Sequence, residues 1–175
     1  MKQSNDGTIA EVVEKHTLSV LVSYNLNALS RIIGIFSGKG FEIDSISFGS
    51  GKQSNLARIT ITTRGDKQII EQINKQLNKI IDVVKVNDLT YDSFVERELA
   101  LIKVTATRSS RSEIMQIAQV FRAKVIDISP DKLTIEVTGN RDKVNAFIGM
   151  LYPFGVDEVA RTGSVALKRE FDGNV

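Results

Sequence analysis

The stretch FEIDSISFGSGKQSNLARITITT, residues 41–63, decides the fold. Apolar and polar residues alternate with a period of two over residues 41–48 and again over residues 56–63, which is typical of strands. The polar, glycine-bearing segment between them, residues 49–55, predicts a turn or a flexible loop. The stretch therefore predicts two strands that follow each other without an intervening helix.

Outward from this stretch, the sequence predicts one strand and one helix on each side. TLSVLV, residues 17–22, is an apolar, β-prone run, and IDVVKV, residues 81–86, closes the unit as a strand. The two helices are predicted from apolar residues at helical spacing. Their apolar faces comprise Leu29, Ile32, Ile33 and Phe36 in the first helix, and Ile70, Ile73, Leu77 and Ile80 in the second. The predicted order is β-α-β-β-α-β.

The second half of the chain repeats this order. Strands are predicted at residues 98–106, 123–129, 133–139 and 156–161. The helical faces are Ile114, Ile117, Ala118 and Phe121, then Val144, Phe147, Ile148 and Leu151. The sequence thus predicts an α+β protein with two ferredoxin-like βαββαβ units in tandem, each with an antiparallel sheet and both helices on one face. We expect a flexible tail at residues 1–15, a first domain at 16–90 and a second at 91–175.

The face of the first sheet that carries no helix is predicted to be small and mildly polar. Its expected residues are Ser19, Ser45, Ser47, Thr60 and Thr62. Unless something covers it, such a face favours pairing between units, within a chain or between chains.

Composition excludes several classes of function. The absence of cysteine excludes disulfides, thiolate nucleophiles and zinc–thiolate sites, and the single histidine, His16, is interpreted as a residue at a strand end. The balance of 23 basic against 21 acidic residues gives a net charge of +2, too weak to indicate nucleic acid or an acidic membrane surface. Because neither a membrane-spanning run nor a targeting segment is recognised, we expect a cytoplasmic protein.

The residues present argue against three catalytic or nucleic-acid interpretations. Gly51-Lys52 lacks the other residues of a phosphate-binding loop, and the strands lack the aromatic residues with which RNA-binding domains of this topology stack bases. The polar loop from Arg108 to Arg111 imitates part of an acylphosphatase site, but duplication of the unit argues against that enzyme. No catalytic residue and no metal ligand is predicted.

The loop before the first helix is the best candidate for a binding site. Residues 24–27 lead into a helix N-terminus, where free N–H groups and the helix dipole favour a small carboxylate such as that of an amino acid. The alternative is that Asn27 simply caps the helix. Chemistry alone leaves both interpretations open.

Several motifs match one family. These are LSVLV with NALSRIIGIFSGKGFEIDSISFG in the first half, and VERELALIKV, FRAKVID and EVARTG in the second. Together they resemble the small, regulatory subunit of acetolactate (acetohydroxyacid) synthase, which opens with an ACT domain. The resemblance covers about residues 16–170, and the joint at residues 95–99 and the closing ARTG at residues 160–163 are its most specific parts.

The resemblance implies a non-catalytic subunit in branched-chain amino-acid biosynthesis. Such subunits pair through their ACT domains, activate a catalytic subunit that carries thiamine diphosphate, FAD and magnesium, and confer feedback inhibition by valine or another branched-chain amino acid. No cofactor is expected in this chain. Carried over, the effector site would use Asn27, Ala28, Leu29 and Ile43. A stand-alone tandem-ACT amino-acid sensor is the alternative.

Three residues depart from the family pattern at that site. Tyr24 stands where the family has asparagine, Asn27 where it has glycine, and Glu42 where it has asparagine. We expect Asn27 to keep the turn through a positive φ, while adding a side chain near the effector. Glu42 would place an anion near the effector's carboxylate. The sequence therefore predicts weak or absent valine inhibition.

Overall fold

The computed structural model describes residues 13–170, which form two α+β units in tandem. The elements are β1 (Glu14–Ser23), α1 (Leu26–Lys39), β2 (Ile43–Ser50), β3 (Leu56–Gly65), α2 (Lys67–Leu77), β4 (Val83–Asp88), β5 (Phe94–Thr105), α3 (Arg111–Val120), β6 (Lys124–Ile128), β7 (Lys132–Gly139), α4 (Arg141–Leu151), β8 (Val156–Arg161) and β9 (Val165–Lys168). Most of the predicted tail lies outside the described residues, and β1 begins at Glu14, three residues before its predicted start.

The first sheet is antiparallel, with strand order β2-β3-β1-β4, which is the predicted ferredoxin-like topology. Alternate residues of β1 and β3 pack against α1 and α2, so the core lies between the helices and one face of the sheet. Its largest fully buried side chains include Phe36, Leu18, Ile32, Ile59, Ile61, Ile73 and Leu77.

One position on the predicted face of α1 is wrong. Ile33 is 42% exposed, whereas Ala28, one turn before Ile32, is fully buried. The stripe Ala28–Ile32–Phe36 is spaced at i, i+4, i+8, so it lies along one line of the helix. The helix ends at Gly40, whose φ of 70° is the left-handed conformation that glycine adopts without a steric penalty.

The second sheet has strand order β6-β7-β5-β8 and the same helical layer. Asn140 caps α4 because its side chain accepts a hydrogen bond from Lys143 N at 3.0 Å. Phe147 of α4 is fully buried and lies 5.2 Å, centroid to centroid, from Phe121. A core of its own therefore stabilises the second unit.

One strand of the structure, β9, is not predicted from the sequence. β9 pairs antiparallel with the first residues of β5, from Phe94↔Lys168 to Arg97↔Val165, and β5 starts four residues before the predicted strand. We call this two-stranded element, residues 94–97 with β9, the ribbon. It continues β5 out of the second sheet towards the first unit.

The ribbon and residues 162–164 cover part of the helix-free face of the first sheet. Ser19 is 1% exposed, Thr60 is 3% exposed and Thr62 is fully buried, although this face is predicted to be open. Ser164 and Ala166 are buried on the other side of the contact, with 1% and 2% exposure. The pairing of units that the open face favours is therefore made within the chain.

Candidate effector site

The β1–α1 loop is held by Asn25. Its Oδ1 accepts a hydrogen bond from Ala28 N at 2.8 Å, and its Nδ2 donates to Asp82 Oδ1 at 3.2 Å. Asp82 also binds Arg31 Nη1 at 3.0 Å. Asn25 is therefore the N-cap, and the interpretation of Asn27 as the cap is wrong. Asn25 Oδ1, three residues before Ala28, already satisfies the N–H group of Ala28.

Asn27 lies inside the first turn of α1 and is exposed. Among the residues that the structure describes, Arg122 is the one non-glycine residue with a positive φ, at 54°. The expectation that Asn27 adopts a positive φ is therefore wrong, because a helical residue at this position needs no left-handed turn. Its side chain remains free to project beside the loop.

The other three candidate residues are partly or wholly core residues. Ala28 is fully buried, while Leu29 and Ile43 are half-buried and pack against the same core. Ile43 is the first residue of β2, and Leu29 lies one position after Ala28 in α1. Because Ala28 is buried, only its backbone is offered to a ligand.

Strand register separates Ile43 from the loop within one chain. Ile43 pairs with Thr63, which pairs with His16 near the start of β1, whereas the loop follows Ser23 at the other end of β1. The seven steps from His16 to Ser23 amount to about 23 Å in an extended strand. The structure thus brings Asn27, Ala28 and Leu29 together, but it does not bring Ile43 to them.

The two other departing residues, Tyr24 and Glu42, are separated in the same way. The Tyr24 ring stacks on Phe48 of β2, with centroids 5.7 Å apart and planes at 15°. Glu42 lies directly before β2, beside Ile43, and its backbone carbonyl accepts a hydrogen bond from Thr63 Oγ1 at 2.5 Å. Tyr24 therefore belongs to the loop end of β2, and Glu42 to the opposite end.

One ion pair and two hydrogen bonds hold the end of β8 and the residue that follows it. Glu98, 4% exposed, accepts a hydrogen bond from Arg161 Nε, and Arg161 Nη1 donates to Asn145 Oδ1 at 2.9 Å. Ser47 Oγ of β2 donates to the carbonyl of Thr162 at 3.0 Å. The ARTG motif is therefore one place at which the second unit contacts the edge strand of the first.

The remaining ionisable features lie away from the loop. His16, 2% exposed, places Nδ1 3.2 Å from Asp88 Oδ2, so it joins β1 to the end of β4. A hydrogen bond to Glu158 raises the pKa of Lys103 and lowers that of Glu158 on the second sheet. A hydrogen bond to Glu14 raises the pKa of Tyr91. None of these groups is part of the candidate site.

Residues 13–170 contain neither a candidate metal cluster nor a candidate membrane span. No group of three or more histidine or acidic residues in this range is arranged to hold a metal ion. Over the same range, no helix is long and apolar enough to cross a membrane.

Comparison with known families assigns each half of the chain separately. Residues 18–85 match a family model described as an AHAS small subunit-like ACT domain. Residues 97–170 match one described as the small subunit of acetolactate synthase. A relative from Aquifex aeolicus, named acetolactate synthase small subunit, is 49% identical over 90% of this chain and 83% of its own length. The chain belongs to the acetolactate synthase small-subunit family.

Further family members agree over nearly the whole chain. A Methanothermobacter thermautotrophicus protein, named probable acetolactate synthase small subunit, is 46% identical over 89% of this chain and 94% of its own length. The crystal structure of the Thermotoga maritima small subunit is 42% identical and superposes with a TM-score of 0.81, covering 89% of this chain and 98% of that one. The tandem arrangement, including the second unit, is thus the arrangement of this family.

Proposed function

We propose that this chain is the regulatory subunit of an acetolactate synthase, a non-catalytic protein of the cytoplasm that binds and activates a separate catalytic subunit. The observation that carries the proposal is the match of both halves to the small-subunit family at close to half identity. Thiamine diphosphate, FAD and magnesium would then be bound by the catalytic partner. We propose no site for these cofactors in this chain.

The experiment is reconstitution with the catalytic subunit from the same genome. The two chains are purified separately and mixed, and acetolactate formation is followed with size-exclusion chromatography in parallel. We expect co-elution and a rise in activity that saturates with added small subunit. A matched control adds an unrelated ACT protein of similar charge. Failure to associate at micromolar concentration contradicts the proposal.

We also propose a homodimer in which ACT domains pair through β2. This strand is an edge of the first sheet, with β3 as its neighbour on one side. Antiparallel pairing of two β2 strands would bring Ile43 of a second copy to the loop end of β2 in the first. That arrangement assembles one effector site from Asn27, Ala28 and Leu29 of one copy and Ile43 of the other. Multi-angle light scattering that shows only a 19.4 kDa species at high concentration contradicts this pairing.

The effector proposed for that shared site is a branched-chain amino acid, with valine as the first candidate. The same pairing would carry Glu42 of the second copy to the loop end, together with Ile43. A carboxylate there repels the carboxylate of an amino acid, which supports weak feedback inhibition. Calorimetry with valine, leucine and isoleucine in turn tests which of them binds.

A further inference from the structure

A large pocket lies between the first sheet and the ribbon, on the face opposite the helices. Its volume is about 750 Å³, which falls within the range of small-molecule sites. β1, β3, β5 and β9 each contribute apolar side chains to its wall. These are Leu21, Leu56, Val95, Val165 and Leu167. The ribbon therefore covers the sheet incompletely, and an apolar pocket remains between them.

The charges of the pocket are all of one sign. Lys52, Arg58 and Arg97 line it, and none of the described residues in its wall is acidic. Arg58 is half-buried, and its one hydrogen bond in the described structure runs from Nη1 to Ser19 Oγ at 2.6 Å. A guanidinium carries five N–H donors, so Arg58 keeps donors for another acceptor.

Four other arginines of the chain have acidic partners. Arg31, Arg64, Arg141 and Arg161 each form an ion pair with an aspartate or a glutamate. Arg58 stands among apolar side chains without such a partner in the described part of the chain. A cation in a poorly solvated place attracts an anion more strongly than one in bulk water, because screening is weaker there.

We propose that this pocket binds a small amphipathic carboxylate, with its carboxylate on Arg58 and its hydrocarbon part against Leu21, Val165 and Leu167. Arginine pairs with carboxylates through two parallel N–H···O bonds, and Arg97 and Lys52 add positive charge at the rim. None of the residues of the proposed effector site, Asn27, Ala28, Leu29 and Ile43, lines this pocket.

Charge also argues against a second copy of the chain as the occupant. If the two-fold axis of a symmetric dimer passes through the pocket, the pocket faces its own copy. Three cations would then oppose three cations without an acid between them, which is unfavourable. The same charges complement an anionic ligand.

The test uses the full chain and two pairs of probes. Anilinonaphthalene sulfonate, which fluoresces when its rings are buried, is titrated alongside N-phenylnaphthylamine, which has the same rings without the sulfonate. Decanoate and decanol are then used as competitors of equal length. We expect one anionic probe per chain, displacement by decanoate, and clearly weaker displacement by decanol.

Variants locate the site. Arg58→Gln should weaken decanoate binding about tenfold, the usual effect of losing a charge-assisted hydrogen bond, and should leave decanol unchanged. Val165→Asp, at a position 54% exposed, should weaken decanoate binding about fivefold by adding an anion to the wall. Arg108→Gln, an exposed arginine before α3 in the second unit, is the matched control and should change nothing. Thermal unfolding of each variant checks the fold.

Three results would overturn the proposal. One is equal displacement by decanol and decanoate, which would indicate a purely apolar surface. Another is undiminished decanoate binding in Val165→Asp, which decides the matter even if Arg58→Gln fails to fold. The third is loss of probe binding in proportion to dimer formation, which would make a second copy the occupant.

Discussion

Arg141, in the first turn of α4, places Nη1 3.4 Å from Asp44 Oδ2 of β2, so an ion pair joins the two units. A cation at a helix N-terminus opposes the helix dipole, and Asp44 offsets that cost. Asp44 Oδ2 also accepts a hydrogen bond from Arg64 Nε at 3.1 Å within the first sheet. One carboxylate, adjacent to Ile43, therefore links the edge strand to both β3 and the second unit.

Asp44→Asn should lower the free energy of unfolding by about 1–2 kcal/mol. The Asp44 side chain is 16% exposed, so the pair is less screened than a surface pair, and its loss leaves Arg141 unpaired at the helix terminus. Urea unfolding measures the change. Glu71→Gln, which breaks the exposed pair with Lys75 on α2, is the control and should cost less than about 0.5 kcal/mol. Equal costs for the two variants would contradict a linking role for Asp44.

Gly163→Ala should destabilise the contact between the second unit and β2. Gly163 has a φ of 75°, and an added Cβ would lie 3.2 Å from Ser45 Cβ and Ser47 Oγ. We expect a loss of about 1–2 kcal/mol in the free energy of unfolding, together with weaker activation of the catalytic subunit. Gly34→Ala is the matched control, because Gly34 is helical and its Cβ would meet nothing within 4 Å. That change should stabilise the chain by about 0.5–1 kcal/mol.

Periodicity predicted the repeated βαββαβ order because alternation and helical spacing depend only on neighbouring residues. β9 was missed because it has four residues and follows the predicted last strand, so its pairing with Phe94–Arg97 depends on distant contacts. The burial of Thr62 could not be predicted from β3 alone for the same reason. Register shows that Ile43 and Asn27 lie at opposite ends of the sheet, and a list of motif residues contains no such information.

The cap of α1 gives a matched pair of substitutions two residues apart. Asn25→Ala should lower the free energy of unfolding by about 1 kcal/mol, because Asn25 holds both the Ala28 N–H group and Asp82. Asn27→Ala should change the free energy of unfolding by less than about 0.5 kcal/mol, because Asn27 is an exposed helical residue. Any change should be a slight increase, since alanine favours the helix more than asparagine does. Thermal and urea unfolding of both variants measure the difference. A larger loss for Asn27→Ala would restore the interpretation of Asn27 as the cap.

Valine should inhibit the reconstituted enzyme weakly, and removing the Glu42 charge should strengthen its effect. If β2 strands pair across copies, Glu42 of one copy lies near the loop of the other, and its charge opposes the valine carboxylate. Removal of that charge is worth on the order of 1 kcal/mol near a protein surface, or about fivefold in affinity. The triple change Tyr24→Asn, Asn27→Gly, Glu42→Asn should gain more, because it also shortens the side chain at position 24 and removes the one at position 27. Calorimetry of each variant with valine measures the gain, with Glu71→Gln as the charge control. Tight valine binding by the unmodified chain, without improvement in Glu42→Asn or the triple variant, would show that these departures do not weaken the site.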